Sequence, residues 1–385
     1  MRHRMGTLSQ QYGSAIAKYE KVTVTIPVSV ASVTQNLSFI TNHAMCVPFA
    51  TARGSGTSVS YQGPGSHNVF VEMINNAGVP AVRVSRGNAQ AQFGQTVIVY
   101  VVQFDPAYVR VTQSVSTGTA STINHTIPTC VLAKTFVLGY FRPDTALEQT
   151  SACDTCVTVH LSSVTNVVFT RGTGFNTSSH KFASYAVEDI SSSGVFDVQH
   201  ITRATDWWGA TNDATVGAHA GDIVAISSIA TNRSFILGSY RINSASNGPI
   251  TFGYSFYFSG ATGVYYVCAD RNASFDVGEM RIQVVTFLAG IVTRVTNPIH
   301  AFNAPFTGAS ATITLATGIL NKSIVISPTH GAMCNTMVES SSNNANPRMA
   351  STYELTSATQ VTVTPSVGSP GYNAWGACFV LEFLY

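Results

Sequence analysis

Charge is scarce: Lys, Arg, Asp and Glu together make up 10% of the 385 residues, against roughly 25% in an ordinary soluble chain. The formal net charge is +2, and no basic cluster follows Arg2-His3-Arg4. A long phosphate backbone would find too few cations to displace its counterions, so nucleic acid is not an expected partner. Long apolar runs are missing too. No stretch approaches the roughly 18 consecutive apolar residues of a membrane-spanning helix, so no membrane insertion is expected. The first residues have a basic start but no apolar core or cleavage context, which predicts that the chain acts where it is made or leaves by lysis.

Cysteine is sparse and scattered. Its seven copies (Cys46, Cys130, Cys153, Cys156, Cys268, Cys334 and Cys378) are an odd number and too few for a disulfide scaffold of this length. Most are expected to be small buried side chains. Helical periodicity is also nearly absent. Only Tyr12, Ile16 and Tyr19 could form an apolar helical stripe, which suggests a short N-terminal helix or arm.

What is present is strand signal. Val22, Val24 and Ile26 alternate with threonines, and Phe252, Tyr254, Phe256 and Phe258 alternate with Gly253, Ser255 and Tyr257. A period of two belongs to half-buried strands, so the fold class is all-β. Three local patterns then recur in order. The first is a short strand with an apolar centre, often after a basic residue: Leu37–Ile40, Lys134–Leu138, Arg233–Leu237 and Lys322–Ile326. The second is strand, small polar turn, strand, at 70–87 (FVEMINNAGVPAVRVSRG), 157–172 (VTVHLSSVTNVVFTRG), 253–271 and 351–368. Each predicts a hairpin, turning at Asn75-Asn76, Ser162-Ser163, Ser259-Gly260 and Thr356-Ser357. The third is the most apolar strand of each unit, at 96–104, 195–204, 280–290 and 377–385, expected to be central because both of its faces are apolar.

Ser/Thr/Gly-rich stretches near 112–121 and 205–215 and a Thr-Asn-Pro stretch near 296–298 read as links. The expectation is four tandem antiparallel β-sandwich units of roughly ninety residues each, a length suited to six to eight short strands. An arm at 1–19 precedes units at 20–113, 114–207, 208–297 and 298–385.

Catalytic signatures are missing. Ten His and 18 acidic residues are dispersed, without HExxH, GxSxG, GxGxxG or Walker patterns, so the expectation is no enzyme, no cofactor and no metal. Cys153-Asp154-Thr155-Cys156 has a spacing that can bind zinc or cycle as a dithiol. Zinc would want a second such pair, and the blander alternative of two neighbouring loop cysteines is preferred. His160 and His200 could face one another, but lone strand histidines are more often hydrogen-bonded than metal-bound. Asp206-Trp207-Trp208-Gly209 pairs aromatics with an acid, as sugar-stacking sites do. A packing plug at a unit boundary explains it more simply. Trp207, Trp208 and Trp375 are therefore the candidate glycan or inter-unit contacts.

The low charge, the Thr/Ser/Val-rich strands and unit-closing segments such as VVQFDPAYVRVTQ (101–113) and VLEFLY (380–385) resemble the texture of accessory virion proteins of tailed bacteriophages. That group includes capsid decorations, head fibres and tail or baseplate appendages, several with lectin-like sandwiches. The resemblance implies a virion structural or attachment protein in many copies, partnered by capsid or tail proteins and by other copies of itself. It also implies a host-facing end that could meet a surface glycan. The coiled-coil or long β-helical stalk of fibres is missing. A free-standing lectin or adhesin is the alternative.

Overall fold

A computed structural model describes residues 15–54, 69–87, 94–143, 156–172, 179–203, 220–242, 254–268, 277–288, 290–297, 299–302, 310–315, 322–329, 336–338, 351–365 and 374–384. Among these the fold is all-β: 27 strands in nine three-stranded sheets, with helix limited to 3-10 turns such as His43–Met45, Leu132–Lys134 and Thr231–Arg233.

The strands fall into four sets along the chain. The first holds β1 (Ile16–Ile26), β2 (Ser32–Asn36), β3 (Cys46–Gly54), β4 (Val69–Asn76), β5 (Val79–Arg86) and β6 (Gln95–Phe104). The second holds β7 (Val109–Gly118), β8 (Thr122–Thr126), β9 (Thr135–Pro143), β10 (Val157–Ser163), β11 (Asn166–Arg171) and β12 (His180–Asp189). The third holds β13 (Phe196–Arg203), β14 (Ala220–Ala225), β15 (Ser234–Ile242), β16 (Tyr254–Phe258), β17 (Gly263–Cys268) and β18 (Val277–Phe287).

In each of these sets one sheet has the order first-sixth-third and the other second-fifth-fourth, as in β1-β6-β3 with β2-β5-β4. The last strands are β19 (Val292–Thr296), β20 (Ile299–Phe302), β21 (Ala311–Thr314), β22 (Ser323–Ile326), β23 (Thr336–Val338), β24 (Ser351–Ser357), β25 (Gln360–Pro365), β26 (Ala374–Ala377) and β27 (Phe379–Phe383). They form β19-β27-β22, β20-β26-β23 and β21-β25-β24, the same nesting with the longer strands interrupted.

Register gives each set two unlike ends. Ile26 and Gly54 both pair with Gln95, while Ser32 pairs with Ser85 and Val69 with Arg86. The first-to-second, third-to-fourth and fifth-to-sixth connections therefore leave from one end. Tight hairpins occupy the other. The β4–β5 turn falls at Ala77 (φ 51°) and Gly78 (φ 90°), the pair of positive φ values that a two-residue type I′ loop needs. All four hairpins expected from sequence form, with turns beginning two residues later in β4–β5, β10–β11 and β24–β25. The Arg-Gly that closes the first two hairpin motifs has a structural use. Arg86 donates to the carbonyls of Val30 and Pro27, and Arg171 to that of Ala120, so each buried guanidinium ties down the connection between its set's first two strands.

Sixth strands are enclosed on both faces. In β12, Phe182 and Ala186 join a core inside the second set, while Ala183, Tyr185 and Val187 join a core continuous with the first. Fully burying one Val, Leu or Phe is worth about 1.5–3 kcal/mol, so these strands hold much of the fold. Gly238 in β15 is required by that density. A Cβ there would lie 2.6 Å from Cδ2 of the fully buried Phe256 ring. Gly238→Ala should cost about 1–3 kcal/mol through overpacking, read as a lowered unfolding midpoint.

Several expectations change. Ile16 and Tyr19 lie in β1 rather than on a helix, because β6 supplies a backbone ladder from Ile16↔Phe104 onward. Leu37–Ile40 is not a strand. It is a bend in which the Glu20 carboxylate accepts from the amides of Ser38 and Phe39, and the third strand of that set is β3. The Thr/Ser-rich stretch from 112 onward, read as a link, is mostly β7, paired with β12 over ten residues. The strand at 196–203 is an edge strand, β13, and the central place in the second set belongs to β12. Buried His180, Ser184, Glu188 and Asp189 hid β12 from a search for apolar runs.

Candidate functional site

Several of the sequence-derived candidates lie outside the described residues. Trp207 and Trp208 lie outside the described residues, in chain order between β13 and β14, the first two strands of the third set. Trp375 is in β26, opposite Ala301 and Met337. Cys153 lies outside the described residues, whereas Cys156 is buried at the start of β10. His160 and His200 do approach one another electrostatically across two sets. His200 Nε2 is 3.0 Å from the carbonyl oxygens of both Leu132 and Thr135, so it serves as a donor to backbone.

The notable geometry is at the seams where one set packs on the next. Exposed strand edges invite stray pairing, and buried backbone groups need partners. Here the next set's side chains supply those partners. Tyr140 OH donates to Pro48 O (2.8 Å) and accepts from Ala50 N (2.9 Å). Tyr185 OH accepts from Met73 N (2.9 Å) and donates to Val71 O (3.3 Å). Between the second and third sets, Gln283 accepts from Val137 N (2.7 Å) and donates to Val137 O (2.8 Å). Ser239 does the same for Val159 at 3.0 and 3.2 Å.

The third and fourth sets meet through Gly238 N, which donates to Pro328 O, and through the Phe258 and Phe379 rings, 5.6 Å apart. The fourth set then returns to the first. Thr51 Oγ1 accepts from Tyr353 N (3.1 Å) and Tyr100 OH from Leu355 N (2.9 Å). Lys21 also pairs with Glu354 at 2.7 Å. The chain closes as a ring, each set touching the sets on either side.

Met73, Val159 and Tyr353 sit at matching places on the first strand of their hairpins, opposite Val82, Phe169 and Val363. The amide of each is met by a hydroxyl from the following set. Burial raises the pKa of Tyr100, Tyr140 and Tyr185 far above the phenol's ordinary value, so these hydroxyls keep their protons at any working pH.

A scan against protein-family models finds no match, and a search of curated proteins finds none. Geometry alone therefore carries the interpretation.

One further polar line lies inside the second set. Ser116 Oγ, His125 and Ser184 Oγ are joined at 2.6 and 2.8 Å between its two sheets. Burial lowers the His125 pKa, favouring the neutral ring. No carboxylate stands behind the imidazole, and Ser184 is fully enclosed. The line ties the sheets together and is not arranged as an activated nucleophile.

Sequence reasoning missed the seam residues, although a signal existed. Tyr100, Tyr140 and Gln283 are single polar-headed residues within apolar runs, as in IVYVV (98–102), LGYF (138–141) and RIQVV (281–285), whereas Tyr185 lies in a strand with other polar residues and carries no such signal. A hydrogen-bonding group inside such a run implies a second buried layer containing its partner.

Proposed function

We propose that the chain is a non-enzymatic structural or attachment component of a bacteriophage particle. On this reading it consists of four related sandwich units, delimited by the strand sets at 16–104, 109–189, 196–287 and 292–383, that close into one self-contained ring. The observation that carries it is the repeated seam. One surface of each set meets a different surface of the next, a head-to-tail arrangement that forms a ring when the rotation closes.

The strand order also supports it. First-sixth-third over second-fifth-fourth is a jelly roll short of one strand in each sheet, and jelly rolls recur in viral capsid and lectin domains. With three connections of each set leaving from one end, the ring has a hairpin-bearing end suited to docking on capsid or tail proteins. Its other end, from which the first-to-second, third-to-fourth and fifth-to-sixth connections leave, is suited to a host glycan, for which Trp207 and Trp208, between β13 and β14 in sequence, are the proposed contacts. Many copies on a particle would add weak contacts by avidity. Assembly would take place in the host cytoplasm and the mature location would be the virion.

Mass spectrometry of purified particles from the source culture, with copy number taken against the major capsid protein, tests this. Tens to hundreds of copies per particle are expected. Absence from intact particles overturns the proposal and favours a free glycan-binding protein.

A further inference from the structure

The seam between the second and third sets contains a group of basic side chains with no part in the backbone capping. His160 lies on β10, and its neighbour Val159 points into the second set's own core, so alternation turns the imidazole toward the third set. There β15 contributes Arg241, β18 contributes Arg281 and β13 contributes His200, all close enough to act on His160 electrostatically. The one carboxylate in the group, Glu279 of β18, is already shared by Arg241, at 3.2 Å, and Arg281. Arg281 also donates to Thr202.

On the sheets of the second set, Arg171 of β11 is turned toward Ala120 and His180, and Arg142 of β9 donates to Ser85 of the first set. Nδ1 of His160 is enclosed and has no hydrogen-bond partner among the described residues. A proton arriving there would create a partly desolvated charge facing two arginines, with no acceptor in place.

We propose that His160 is an acid-sensitive latch: the seam between the second and third sets is closed at neutral pH and opens along β10 and β15 when the imidazole is protonated. Burial, and then the charges of Arg281, His200 and Arg241, push the His160 pKa down from the ordinary 6.5 to about 4. In an opened seam, with the ring in water, the pKa returns toward 6.5. The open form therefore binds the proton more readily. Closure is at full strength above about pH 6.5 and weakens as pH falls toward about 4, by up to about tenfold in the closed-to-open ratio per pH unit.

Hydrogen exchange of the full chain at pH 7 and pH 5, corrected for the intrinsic exchange rate, tests the latch. Peptides covering β10 and β15 should open about tenfold or more readily at pH 5, while those covering the Tyr185–Met73 seam change little. His160→Gln should reduce the acid response at the β10–β15 seam, leaving only the part due to His200, whose pKa burial also lowers, and should leave the Tyr185–Met73 seam as it was. An unchanged wild-type seam, or the same acid response in His160→Gln, overturns the proposal. A histidine NMR titration of the wild-type chain serves as a second measurement that does not depend on the variant folding. A His160 midpoint well below 6.5 is expected, and one at or above 6.5 overturns the latch.

Discussion

Phe136→Ala is expected to lower the unfolding free energy by about 3–5 kcal/mol, the usual range for emptying a buried phenylalanine site. Phe136 is 1% exposed and comes from the second set, yet its ring meets Phe196 and Phe235 of the third at centroid distances of 5.2 and 5.9 Å. Phe287 closes the cluster behind them, 6.1 and 5.8 Å from the same two rings. Edge-to-face pairs of this kind contribute about 0.5–1.5 kcal/mol beyond area burial. The void would lie between two sets held by their own ladders, with little freedom to collapse into it. Chemical denaturation followed by circular dichroism measures the effect. A loss below about 1.5 kcal/mol would mean that Phe136 is not enclosed between the sets, since full burial alone is worth that much.

Gln283→Leu should be nearly as damaging despite its modest change in size. The Gln283 amide is the partner of both Val137 N and Val137 O, and Gln283 is 1% exposed while Val137 is fully buried. Leucine satisfies neither group. Each buried backbone group left unpaired costs about 1–3 kcal/mol, so a combined loss of about 2–6 kcal/mol is expected. Hydrogen exchange at the Val137 amide gives a local readout, because that proton should become among the fastest in β9. A stability change within about 0.5 kcal/mol, the scatter of ordinary surface substitutions, would show that water replaces the side chain at no cost and that the seam is not closed there. The two predictions probe one seam by separate means, ring packing and backbone capping.

Much of this protein could be read from its residues, because β structure leaves a local signature. Alternation in β1 and the polar turns of the four hairpins follow from pleating and from the φ values that Asn, Gly and Ser tolerate. The most apolar segments at 96–104, 280–290 and 377–385 overlap the central strands β6, β18 and β27 for the same reason: a strand with core on both faces cannot alternate. The failures have equally physical causes. β12 was passed over because its charged and polar residues are paid for by specific partners, Glu188 by Arg110 and the Val131 amide, Asp189 by Ser191 and the Val195 amide. Leu37–Ile40 has the short apolar-centred pattern of a strand, yet its residues form a bend in which Leu37 and Ile40 are buried. The bend there depends on Glu20, eighteen and nineteen residues away in sequence from the amides it accepts.

Sequence by itself determined the all-β class, the hairpins and most of the central strands, since each depends on neighbours within about ten residues and on the two-residue pleat. Tertiary structure alone decided which strands pair, how the sets meet and which polar residues matter. The hydroxyl of Tyr185 finds the Met73 amide 112 residues away, and that of Tyr100 finds the Leu355 amide 255 residues away. No local pattern encodes such a distance. The need for a partner is written in the strand, but its identity depends on desolvating both groups together, which happens only when the ring closes.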